Sequence, residues 1–195
     1  MKKIFFICFI LIFSCGKKEK SVYQTQIEKI RSDKDKEFLT TSTSPFNEDE
    51  LKTFKGFPYF DIDEKYNVKA VLTRTPDLPY FDMPHSNNKT RSYQKFGDIT
   101  FELNGRKFVL PVYSNENFKK DHELFFPFHD LTNGKETYGG GRFLDLKYSD
   151  TSPVVDVDFN LCYHPYCARS HRFSCPIVPK ENTLDIEVKA GEKLQ

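Results

Sequence analysis

The stretch ITFELNGRKFVLPV, residues 99–112, restricts this chain to few architectures. Asn104-Gly105 is a pair suited to positive φ at both central positions of a type I′ turn, the two-residue link whose twist matches antiparallel strands. Ile99, Phe101 and Leu103 alternate before the turn, and Phe108, Leu110 and Val112 alternate after it. A period of two puts each set on one side of a strand, so the stretch predicts a hairpin with one buried face. The same grammar appears at Val68, Ala70 and Leu72, and further strands are expected over 124–131, 142–147, 154–159 and 184–189. Seven such strands, with helices confined to the N-terminal part, predict a mainly β, antiparallel, sandwich-like single domain, an open barrel being the other arrangement of the same pattern. Twenty phenylalanines in 195 residues supply a core, and the lack of any fixed repeat excludes a solenoid or propeller.

Sparse apolar points at Val22, Ile27, Ile30 and Phe38 among many charges predict a mostly exposed helix over 21–39. A second, short helix is expected to about Phe54, with Ser44 as its N-cap, Pro45 in its first turn and Glu48, Asp49 and Glu50 near its start.

Ahead of these helices the chain opens with Lys2-Lys3, ten apolar residues from Ile4 to Phe13, then Ser14-Cys15 and a basic tail. Ten residues are too few for a span, which needs roughly 20, so residues 1–14 are expected to act as a signal peptide. Ile12-Phe13-Ser14-Cys15 resembles a bacterial lipobox and makes Cys15 the expected lipidation site of an envelope lipoprotein, with 15–43 as tether and exposed helix and 44–195 as the β domain. Loss of the leader takes the chain from 29 basic residues to 27 against 28 acidic ones, too even a balance for a nucleic-acid partner. The expected associations are the membrane, through the lipid, and a small-molecule ligand; no cofactor is called for.

Several motifs fail on spacing. His122-Glu123 starts a zinc-protease motif, but Phe126 stands where the second histidine belongs. Asp156, Asp158 and Asn160 start a calcium loop, but Leu161 and Cys167 occupy the glycine and glutamate positions. Strand alternation instead puts these three polar residues opposite Val155, Val157 and Phe159. Gly139-Gly140-Gly141-Arg142 suits either an anion cradle or a tight turn feeding a strand. The run 158–176 gathers Cys162, His164, Cys167, His171 and Cys175, for which zinc, a catalytic thiol and a disulfide are all open; the disulfide would join Cys167 and Cys175 around a nine-residue loop. The absence of a tight C-x2-C pair speaks against structural zinc, and no metal site is expected.

The runs FHDLTNGKETYGGGRFLDL, VVDVDFNLCYHPYCARSHRFSCP and SPFNEDELKTFKGFPYFDIDEKYNVKAVL together resemble the bacterial and archaeal family catalogued as domain of unknown function 1684, over about residues 40–193. The resemblance implies a sandwich-like antiparallel β fold and no known activity. Laid on this chain, its pattern singles out Asp130, Tyr138, Arg142, Asp158 and Asn160, expected to meet across strands as a ligand-binding patch or an internal polar network. Cys167 and Cys175 also fall on the pattern, whereas Cys162, His164 and His171 depart from it. Two functions follow: a membrane-tethered binding or structural module using that patch, or a hydrolase or thiol enzyme using the same patch or Cys167.

Overall fold

The computed structural model describes residues 20–40, 42, 44–76 and 78–194. The leader and Cys15 lie outside the described residues. Two helices, α1 (Val22–Leu39) and α2 (Glu48–Thr53), precede the sheet. The strands are β1 (Asn67–Arg74), β2 (Phe81–Pro84), β3 (Thr90–Leu103), β4 (Arg106–Ser114), β5 (Glu123–Phe128), β6 (Arg142–Lys147) and β7 (Val154–Asp158), with a single helical turn, α3 (Phe118–Asp121), between β4 and β5.

All strand pairs are antiparallel, in the order β6-β5-β4-β3-β1-β7, with β2 also on β3. The two end strands, β6 and β7, approach each other, so one sheet curls nearly closed and supplies both layers around the core. The expected hairpin forms: Leu103 pairs with Arg106 across Asn104 and Gly105, both at positive φ. The alternating residues meet as predicted, Ile99, Phe101, Leu103, Leu110 and Val112 packing inside with Phe126, Phe159 and Val157.

Three expectations change. The short helix is capped by Asn47, whose side chain accepts from the Glu50 N–H while Glu50 caps back, leaving Pro45 and Ser44 outside. β2 was not foreseen, because its four residues carry no alternation. Residues 184–189 form no strand, although they run beside 129–131, with Leu184 N donating to His129 O and Leu131 N to Ile186 O. The reason is chemical: the Val188 N–H goes to the Asp130 carboxylate and the Val188 and Ala190 carbonyls to the Arg142 guanidinium, so side chains take the bonds a ladder would use.

Helix α1 lies against the barrel rather than free of it. Only Ile27 and Phe38 are buried, and polar contacts do most of the docking: Tyr23 Oη donates to Asp158, Arg31 to the Phe60 and Asn160 carbonyls, and Lys34 to Glu192. A weakly amphipathic sequence can therefore pack, because its partners are carbonyls and carboxylates rather than a greasy seam.

The strands also bury a second face. Tyr93, Tyr113, Phe125 and Phe143 point out of the barrel, and segment 163–178 covers them through Cys175 and Val178, with Tyr163, Cys167 and Phe173 packed alongside. The sequence signal for this is the unbroken apolar run Leu124-Phe125-Phe126-Pro127-Phe128, which fits a strand covered on both sides rather than one facing water.

Candidate functional site

The five polar residues expected to share one patch separate into three places. Arg142 and Asp130 meet inside the barrel end, with an N–O distance of 3.3 Å and both side chains fully enclosed. Asp130 also accepts from the Thr132 hydroxyl and the Val188 N–H, while Arg142 donates to the carbonyls of Val188, Ala190 and Glu192. The pair is thus an internal knot that fixes the C-terminal segment. Gly141, just before it, has φ near +90°, and a Cβ there would lie 2.7 Å from the Phe128 carbonyl oxygen. The triple glycine is a turn packed against the sheet.

Asp158 and Asn160 form the second place, under helix α1. The Asn160 amide bridges to the backbone of Asp63 and to Tyr23 Oη, which itself donates to Asp158 at 2.8 Å. Asn160 follows the end of β7 in a short turn, and so turns inward instead of continuing the exposed face. Loss of water around the phenol, reinforced by Asp158, raises the Tyr23 titration well above its usual value.

Tyr138 stands in the third place, beside the thiols. Its N–H donates to His164 Nε2 at 3.2 Å, which leaves the imidazole proton on Nδ1, 3.7 Å from Glu192. Burial, then Arg142, Arg169 and Lys34, hold His164 down at about 3, a neutral ring. The expected disulfide between Cys167 and Cys175 is not formed; both are free thiols. The Cys167 N–H donates to Cys175 Sγ at 3.3 Å and the two side chains share a hydrogen bond, so a thiol contact stands where the staple was expected. That bond from Cys175, with others from Tyr138 and Ser86, outweighs desolvation and brings Cys167 down to about 6, while the donor Cys175 is raised. Cys162 is buried with its Sγ toward the Ala190 carbonyl, and burial pushes it up to about 11. His171 is exposed. Among the described residues no group of three or more His, Cys, Asp or Glu could hold a metal ion.

None of the five residues lines the aromatic opening on the outer face of the sheet. That opening is a cleft of about 490 Å³ between α1, the outer face of the sheet and segment 163–176. Phe125, Phe143 and Tyr163 adjoin one another in its lining, as do Phe38 and Tyr166, and Asp145 lines it too. Asp145 on β6 points out of the barrel, beside Phe143 and opposite to Leu144 and Leu146 in the core. Its carboxylate accepts from Tyr163 Oη at 2.6 Å. The carboxylate opens to water through the cleft mouth, yet atoms crowd its other sides; this desolvation raises its titration above the ordinary aspartate range despite the Tyr163 bond, which lowers it. A desolvated acid on aromatic walls is a common mark of a binding or reacting site. In the sequence, its one trace was an aspartate set between Leu144 and Leu146 on the outward period of β6.

The comparisons with known proteins agree with this fold. Residues 52–193 match the model of the family described as "Protein of unknown function (DUF1684)". The chain is similar to an uncharacterised protein of Haloarcula marismortui, whose solution NMR structure has 35% sequence identity and a TM-score of 0.68, covering 88% of this chain and 94% of that one. Among curated proteins there is no match.

Proposed function

The chain belongs to the DUF1684 family, whose description carries no activity, and from the geometry we propose that it is a binding module for a small molecule, held at a bacterial membrane by its N-terminus. The observation that carries the proposal is the aromatic cleft with the Asp145–Tyr163 pair inside it. It has the size range and mixed lining of small-ligand sites. The Arg142–Asp130 knot supports the module by fixing the C-terminal segment, and Asp158 with Asn160 supports it by holding α1, which forms one wall of the cleft.

The lipobox-like Cys15 is the proposed anchor, six residues ahead of the helix cap at Ser21. The 18 residues of α1 rise about 27 Å at roughly 1.5 Å per residue. Lys34 and Phe38 stand near the far end of that helix, so the cleft would be held away from the bilayer. No helix among the described residues is long and apolar enough to cross a membrane. Labelling with a fatty-acid analogue should mark the wild type and not Cys15→Ser, which should also leave the membrane fraction; equal labelling of both would remove the anchor.

The test of the cleft is a small-molecule screen by ligand-detected NMR on residues 20–195, run beside Phe143→Ala. Compounds bound by the wild type should be lost in a variant that keeps its circular dichroism. Hits that survive the substitution would place binding elsewhere.

A second reading, a thiol-dependent enzyme, has one observation in its favour: the Cys167 thiol, half-buried and acidified by Cys175, Tyr138 and Ser86, beside a Cys175 that lines the cleft. Turnover of activated esters that vanishes in Cys167→Ser would move the account to that class.

A further inference from the structure

We infer that the cleft takes a small organic cation, an alkylammonium group seated among the rings with the Asp145 carboxylate as its counter-ion. This rests on the cleft being the binding site, and adds the chemical class of what enters it.

The first observation is ring geometry. Phe125 and Phe143 meet with centroids 4.9 Å apart at 75°, and Phe143 and Tyr163 at 6.0 Å and 87°. Near-perpendicular rings make a corner that offers π faces in several directions. Such a corner fits a rounded cation, whereas a sugar ring stacks best on one flat platform. Cations are attracted to these faces by the ring quadrupole within about 6 Å.

The second observation is that the chain already uses this wall for an ammonium. Lys34 Nζ lies 4.8 Å from the Tyr163 ring centroid and 4.7 Å from that of Phe57. Its charge is met by the enclosed Glu192 carboxylate at 2.7 Å. With Lys34 matched in this way, Asp145 is the acidic group set among these rings. An anionic ligand beside Asp145 would meet a like charge; a cation there meets an opposite one, with Lys34, whose charge also acts on Asp145, held by Glu192.

The third is the coupling of ring to counter-ion. Tyr163 donates its phenolic proton to Asp145 at 2.6 Å, which shifts electron density toward the ring and strengthens its face for a cation. A cation entering beside Asp145 would also return to that carboxylate the stabilisation it lost with its water.

The test uses the chain from residue 20 and follows backbone amide shifts in two-dimensional NMR. Four probes are compared: tetramethylammonium, choline, the neutral isostere of choline in which carbon replaces nitrogen (3,3-dimethylbutanol), and a methyl glucoside. The two cations should shift amides of Phe125, Phe143, Asp145 and Tyr163, and should bind at least tenfold tighter than the neutral isostere. Asp145→Asn should weaken the cations by about tenfold and leave the isostere unchanged; Tyr163→Phe should weaken them by a smaller factor. Equal or tighter binding of the isostere or the glucoside at these amides would overturn the cation while keeping the cleft as the site. Failure of all four probes to move cleft amides would overturn both. The comparison of cation with isostere needs no variant, so it stands even where a substitution disturbs folding.

Discussion

Two carboxylates in this protein each accept from a hydroxyl, and what surrounds them differs in every other respect. Asp130 sits in a closed knot with Thr132, the Val188 N–H and the Arg142 guanidinium, all enclosed. Asp145 faces an open cleft, with Tyr163 on one side and aromatic walls around it. A buried charge whose partners are all in place serves the fold, because a ligand could enter only by removing one of them. A carboxylate kept short of water but left reachable is suited to meet a partner from outside. Asp130 and Arg142, which drew notice in the sequence, are of the first kind.

The strongest way to break this contrast is to open the knot. Arg142→Met should leave Asp130 enclosed without its cation and cost about 3–5 kcal/mol of unfolding free energy, read from the denaturant midpoint. A loss below about 1 kcal/mol would mean that the knot is not what fixes the C-terminal segment. A smaller effect is expected at His164. The folded ring titrates at about 3, against roughly 6.5 when unfolded. Between those values the unfolded chain holds the extra proton, so stability falls as pH falls through that window, by about 2 kcal/mol from pH 7 to pH 5. His164→Asn should flatten this part of the stability–pH curve; an unchanged slope would show that His164 already carries a proton in the fold.

The thiols sharpen the comparison along another axis, since Cys162 belongs to the enclosed side and Cys167 to the open one. Iodoacetamide should modify Cys167 first, with a rate that rises through about pH 6, and should reach Cys162 only on unfolding. Tyr138→Phe should move that midpoint upward by removing one of the bonds that favour the thiolate. The smallest effect is expected at Asp145. Asp145→Asn should change stability by no more than about 0.5 kcal/mol, because the carboxylate opens to solvent and serves no contact the fold needs. A loss above 2 kcal/mol would make it a second structural knot.

Much of the barrel was legible because period-two alternation and the Asn104-Gly105 turn are local signals, and Ile99, Phe101, Leu110 and Val112 went where that pattern sends them. Segment 184–189 also alternates, but its backbone bonds to side chains of Asp130 and Arg142, and no local pattern records a partner 40 or more residues away. Of the five residues expected to meet, Arg142 and Asp130 are in contact, while Asp158, Asn160 and Tyr138 lie in other places, set by partners distant in the chain. Helix α1 is mostly exposed, as its sparse apolar points imply; what they did not disclose is its docking through Tyr23, Arg31 and Lys34. The cleft was the least legible feature. Its walls come from α1, β3, β5, β6 and segment 163–176, and each contributes a ring that by itself looks like core.

The central claim is that ligands enter at Asp145 and not at Arg142. Backbone amide shift mapping of the chain from residue 20, titrated with tetramethylammonium, tests it most directly. Saturable shifts should centre on Phe125, Phe143, Asp145 and Tyr163, with Asp130, Arg142 and Val188 unmoved. Saturable shifts centred on Asp130 and Arg142, with the cleft amides still, would contradict it.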